Sequence, residues 1–133
     1  MMRKDTWPEE LHDYFLSPPA FAWGSADCCL WCADWILKIT GADLGAAYRG
    51  TYASDEDAYA RLRAAGFADV DDLAGSVLPP VAVALARRGD IVCGMFAGRK
   101  TLGICSGAQS AFLRLDGLEW IPTMDCVAAW RVG

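Results

Sequence analysis

Apolar residues recur along this chain with two different periods, and the change falls near Gly89. Before it the spacing is helical. Trp7, Leu11, Tyr14 and Phe15 stand at i, i+4, i+7 and i+8, which predicts an amphipathic helix over about residues 6–16. Thr6-x-x-Glu9 reads as a capping box with Pro8 in the first turn. Ser17-Pro18-Pro19 ends that helix and holds an extended approach to Phe21 and Trp23. A second stripe, Cys28, Cys32, Trp35, Ile36 and Ile39, predicts a helix over about 27–40, with Asp27 as its N-cap and Gly41 as its stop. Residues 43–52 read as a loop. Ser54 caps a third helix over 55–65, acidic in its first turn and closed by Gly66. Residues 69–78 read as a short fourth helix, stopped by Pro79-Pro80.

After Gly89 the runs are short. Residues 90–96, 101–105, 111–115, 118–122 and 126–132 are apolar segments separated by glycine or charged residues, as in a small antiparallel sheet. Helices first and strands afterwards predict an α+β layout with segregated elements. At 133 residues, with no internal repeat or composition shift, the chain reads as one domain over 1–133.

Composition narrows the function classes. An apolar share of 54% with 22% charged residues marks a folded chain. The net charge of −5 argues against nucleic acid and anionic membrane as partners. The basic pairs Arg87-Arg88 and Arg99-Lys100 are dipeptides, read as solvated loop ends. No apolar run approaches the ~20 residues of a membrane span, so no membrane insertion is expected. Met1-Met2-Arg3-Lys4-Asp5 lacks the apolar core of a signal peptide behind it. Synthesis in the cytoplasm, with the cysteines reduced, is the expectation.

Cys28 opens the second helix, where unsatisfied backbone N–H groups favour a thiolate. Gly24 lets the preceding chain turn tightly and keeps bulk away from the sulfur. A nucleophilic thiol also needs a base, and the only histidine, His12, precedes the cysteine on the first helix, where a solvated position is expected. Cys28 also reads as a small core residue at the head of its stripe. A metal is a further alternative: Cys28, Cys32 and the strand cysteines Cys93, Cys105 and Cys126 carry soft ligands for zinc or an iron–sulfur cluster. On a helix, however, Cys28 and Cys32 share a face while Cys29 points about 100° away, and no second C-x-x-C pair exists. No metal and no cofactor are expected. The six tryptophans read mainly as core, but so many in a small domain suit an interface with other proteins.

The motifs also carry a resemblance. Trp23-Gly24-Ser25-Ala26-Asp27-Cys28 resembles the WG-G-x-D-C-S-G nucleophile segment of NlpC-type peptidoglycan endopeptidases, a papain-like superfamily. Arg88-Gly89-Asp90-Ile91-Val92 is similar to that family's R-x-G-D-L-V strand, and Thr101-Leu102-Gly103-Ile104-Cys105-Ser106-Gly107 to its H-V-G-I-Y-x-G strand. With the ending Ala129-Trp130-Arg131-Val132, the chain is similar to a short group of phage- and prophage-encoded relatives. The resemblance implies a papain-like NlpC-type fold with Cys28 at the nucleophile position and Trp23, Gly24 and Asp27 as binding positions beside it. It puts the family's base histidine at Thr101, which cannot act as a base. The polar residue that would orient the base falls near Phe112 or Leu113, both apolar, and Cys29-Leu30 replaces the usual Ser-Gly. Lys100, Asp116 and Asp125 are no substitutes: Lys100 alternates with Thr101 along the strand, and a carboxylate is a poor base for a thiol.

Taken with the missing base, the resemblance implies a degenerate cysteine peptidase retained as a phage tail-tip or hub-associated protein. Other tail proteins are then its partners and the virion tail its location. The alternative is an active endopeptidase or amidase, attacking peptidoglycan peptides through a Cys28 thiolate.

Overall fold

A computed structural model describes residues 1–133 and gives an α+β architecture: four helices, then one antiparallel sheet. The helices are α1 (Trp7–Leu16), α2 (Cys28–Thr40), α3 (Asp55–Ala64) and α4 (Val70–Val77). The strands are β1 (Pro80–Val81), β2 (Ile91–Phe96), β3 (Arg99–Cys105), β4 (Gln109–Arg114), β5 (Gly117–Pro122) and β6 (Ala128–Trp130), in the spatial order β1-β6-β2-β3-β4-β5. Short 3₁₀ turns at Val83–Leu85 and Thr123–Asp125 interrupt the strand region.

Local chemistry explains most of the boundaries. The Asp27 carboxylate accepts the Leu30 N–H at 3.0 Å, and Gly41, at φ 82°, returns its N–H to the Leu37 carbonyl. The Ser54 hydroxyl accepts the Asp57 N–H in the same way. The expected capping box at Thr6 does not form. Thr6 has φ −84° and ψ 6° rather than an extended backbone, so its hydroxyl donates to the Glu10 carboxylate at 2.9 Å instead of accepting from the helix.

Two other expectations change. β3 begins at Arg99, two residues before Thr101, because Ala97 and Gly98 at positive φ make a two-residue hairpin turn. Arg99 and Lys100 are therefore strand residues rather than loop ends, with Arg99 paired to Asp55 and Lys100 to Asp71. The short β1, invisible in the apolar pattern, pairs Pro80 with Trp130 and Val81 with Ala129 at a sheet edge, where a proline is tolerated.

Both faces of the sheet are covered. Ile91, Cys93, Leu102, Ile104 and Leu113 pack against Trp31, Trp35, Ile36 and Ile39 of α2. Val92, Phe96, Cys105, Phe112, Cys126 and Ala129 form a second cluster on the other face. Gly103 permits this packing, since a Cβ there would stand 2.5 Å from both the Ala111 carbonyl and the Phe112 ring.

The chain ends are tied to the start of β2. Asp90 is fully buried; one carboxylate oxygen accepts from Arg3 at 2.9 Å and from the Val132 N–H at 3.0 Å. The other accepts the Arg87 N–H at 2.9 Å and lies 3.1 Å from the Arg131 guanidinium. Arg3 also donates to the carbonyls of Val132 and Arg88, so one ion pair joins the N-terminus, β2 and the C-terminal strand.

Candidate functional site

The segment before α2 folds around a single carboxylate. Asp27 is 2% exposed and receives three hydrogen bonds: Leu30 N–H and Gly24 N–H at 3.0 Å, and the Tyr52 hydroxyl at 2.5 Å. The same carboxylate thus caps the helix, closes the Trp23–Cys28 turn and anchors the loop over it. Gly24 lies at φ 83° with the Tyr52 carbonyl where a Cβ would be, 2.0 Å away, and its own carbonyl accepts the Gly50 N–H. Trp23 is half-buried and meets Phe21 edge to face at 4.9 Å. Tyr52 belongs to the stretch read as a featureless loop. Burial and the hydrogen bond to Asp27 push its phenol well above the ordinary range.

Cys28 is the first residue of α2, half-buried, with its sulfur 4.0 Å from that of Cys29. The two thiols share a hydrogen bond, and Cys29 is the donor once Cys28 ionises. That bond holds the Cys28 pKa below its ordinary value, against burial and the nearby Asp27 charge; the backbone amides of Leu102 and Cys29 act with it. The bond and burial raise Cys29 well above its ordinary value, and burial does the same to Cys32. Of these three thiols, Cys28 is the one set to ionise.

Cys29→Ala removes that donor. A net hydrogen bond of about 1 kcal/mol corresponds to somewhat under one pKa unit, so alkylation of Cys28 at pH 7 is expected to slow by up to about tenfold. The pH profile of iodoacetamide labelling at Cys28 measures this: the inflection moves to higher pH in the variant.

The cysteine opens on a cavity of about 700 Å³ between the helices and the sheet. Its walls are mostly apolar and include Cys28, Cys29, Tyr59, Leu73, Leu102 and Leu118. Trp23, Asp27 and Thr101 also border it; Gly24 is buried behind them and His12 is exposed on α1, away from the cavity. Register decides what β3 presents. Leu102 pairs with Cys93 and belongs to the helix-side core, whereas Thr101 pairs with Gly94 and alternates onto the face carrying Gly103 and Cys105. Leu102 is therefore the residue whose backbone faces the Cys28 sulfur.

The other candidates are scattered. Phe112 is buried in the far cluster and Leu113 in the near one. The Lys100 ammonium sits 2.9 Å from Asp71, and Asp125 is exposed in its turn. Asp116 borders the cavity. The sheet divides the cysteines: Cys32 and Cys93 pack on the helix side, Cys105 and Cys126 on the other. No three His, Cys, Asp or Glu side chains are grouped to hold a metal ion, so the metal alternative built on Cys28, Cys32 and all the strand cysteines fails on geometry.

Residues 2–132 match the family model described as Domain of unknown function (DUF6950). The chain belongs to that family. No curated protein matches the sequence. Among solved structures, this DUF6950 chain is similar to the crystal structure of the NlpC/p60 domain of the peptidoglycan hydrolase SagA. The TM-score is 0.58 at 16% identity, over 95% of this chain and 96% of that one. That likeness establishes the fold of the DUF6950 chain as NlpC/p60-like and papain-like.

Proposed function

We propose that this protein is a non-hydrolytic member of the NlpC/p60 fold, acting as a docking component of a phage or prophage tail. The observation that carries the reading is the surroundings of Cys28. Its sulfur meets a second thiol, the Leu102 backbone and an apolar cavity. Peptide hydrolysis needs a group that takes the thiol proton and returns it to the leaving amine, and none of these neighbours does so. The tail assignment draws on the likeness of the Trp23–Cys28 and Ala129–Val132 motifs to phage-encoded relatives. Support for docking comes from apolar side chains left in solvent along the sheet-edge strand β5 and beside it, Trp120 and Leu115 among them.

One observation favours the active alternative: the depressed pKa of Cys28 at a helix start suits a nucleophile. Turnover of peptidoglycan peptides by wild type and Cys28→Ala separates the two. No turnover by either protein is the expected result. Turnover that vanishes in Cys28→Ala overturns the non-hydrolytic reading. Mass spectrometry of purified particles is expected to find the chain in the tail, and its absence from particles would end the tail assignment.

A further inference from the structure

We infer that the cavity beside Cys28 is a binding site for a long acyl chain, and that Cys28 accepts that chain from an acyl thioester. The inference rests on the non-hydrolytic reading above, in that it needs the thiol but no base. Three observations lead to it.

The first is the cavity itself. About 700 Å³ lies within the range of pockets that enclose organic ligands, and it is large for a chain of 133 residues. Its lining runs from Phe21 and Leu44 through Phe67, Leu73 and Val77 to Leu118. A wall so composed rewards an apolar ligand without polar groups to satisfy. Each further CH₂ buried there raises affinity about fourfold.

The second is the state of the charges around it. The two cations of β3 at the cavity, Arg99 and Lys100, are already engaged by Asp55 at 2.6 Å and Asp71 at 2.9 Å. Arg114, also at the rim, stacks over the Phe96 ring at 4.3 Å. A free carboxylate would compete with these partners, whereas an esterified chain would not.

The third is the chemistry available to the thiol. Without an acid to protonate a departing amine, amide cleavage stalls, but a thioester's leaving group departs as a thiolate that needs no proton. The Cys28 thiolate attacks the thioester carbonyl, with backbone N–H groups at the start of α2 and at Leu102 on its side of the cavity. The new Cys28 S–C(=O) bond forms, the donor's C–S bond breaks, and the donor sulfur leaves with the electron pair. The proton given up by Cys28 ends on that sulfur through solvent, so no oxidant or reductant enters. The acyl tail then fills the cavity and keeps water from the thioester.

The test uses the full chain with palmitoyl-, octanoyl- and acetyl-coenzyme A below micellar concentration, read by intact mass and peptide mapping. The expected result is one palmitoyl group per chain, on Cys28, removed by hydroxylamine and formed at least a hundredfold faster than the acetyl adduct, with octanoyl between. Leu118→Trp, which fills the cavity, is expected to slow palmitoyl labelling at least tenfold, with iodoacetamide labelling of Cys28 reporting whether the thiol is intact. Equal rates for all three donors, or adducts spread over the other cysteines, would overturn the inference, as would no adduct at all. Peptide turnover is assayed on the same preparation. Turnover sinks the non-hydrolytic reading, whereas its absence together with no acyl adduct sinks only the acyl site.

Discussion

Asp90→Ala is expected to destabilise the protein by about 3–5 kcal/mol, because it removes one partner of a buried ion pair and leaves the other behind. Arg3 loses its only carboxylate partner in a position where its side chain is 6% exposed, and burial already disfavours its charge. The N–H groups of Val132 and Arg87 lose their acceptor in the same step. What comes apart is the junction of both chain ends with β2, so the effect is global rather than local. Against a typical total of about 5–15 kcal/mol, most of the stability of a small domain is at stake. Urea unfolding followed by tryptophan fluorescence measures it, with Asp55→Ala as the comparison. Asp55 pairs with Arg99 at 2.6 Å, but the two side chains are 43% and 49% exposed, and such a pair contributes about 0–1 kcal/mol. Equal losses for the two variants would show that Asp90 is no hub.

The contrast also explains which motif residues sequence reasoning could place. Arg88-Gly89-Asp90 was visible as a family-like block, yet nothing in one sequence says that its aspartate binds Arg3 and Arg131. Those partners lie 87 and 41 positions away and meet only when both ends of the chain fold onto β2. The four helices were legible from local signals: an apolar stripe at helical spacing for α1 and α2, and a side-chain cap for α2, α3 and α4. The strands were legible in number and approximate position but not in their ends. Turn residues such as Ala97, at φ 49°, carry no composition signal, and β1 is too short to alternate.

At the site, Cys28 and Asp27 were legible from the Trp23–Cys28 motif. Tyr52 was not, since a tyrosine among glycines and alanines gives no sign that it will reach a carboxylate 25 positions back. The side-chain alternation of β3 could be read, but the register that sets Leu102 against Cys93 and beside Cys28 comes from pairing with β2. The cavity was the least legible feature. It is lined by residues of α2, α3, α4 and β3, and its apolar lining carries the same signature as core.

Gly24→Ala is the second large effect, and it acts where the motif is densest. An alanine there takes on the left-handed backbone at φ 83°, which costs about 1–2 kcal/mol for a residue with a Cβ. The Cβ would also lie 2.0 Å from the Tyr52 carbonyl oxygen, a distance that no rotamer relieves because both groups are backbone. Either the Trp23–Cys28 turn or the loop carrying Tyr52 has to move, and each motion pulls a donor away from Asp27. The expected loss is therefore about 3 kcal/mol or more, in the range reserved for backbone strain compounded by a broken buried network. Gly41→Ala isolates the two contributions. Gly41 has nearly the same φ, 82°, with nothing within 4 Å of its would-be Cβ, so it carries the conformational cost alone. Thermal unfolding of both variants, beside the iodoacetamide profile of Cys28, reads the difference. Gly24→Ala should lower Tm well beyond Gly41→Ala and disturb Cys28 reactivity, because the carboxylate that holds the start of α2 also holds this turn. Equal shifts in Tm with an unchanged Cys28 profile would mean that the contact with Tyr52 is not what holds Cys28 in place.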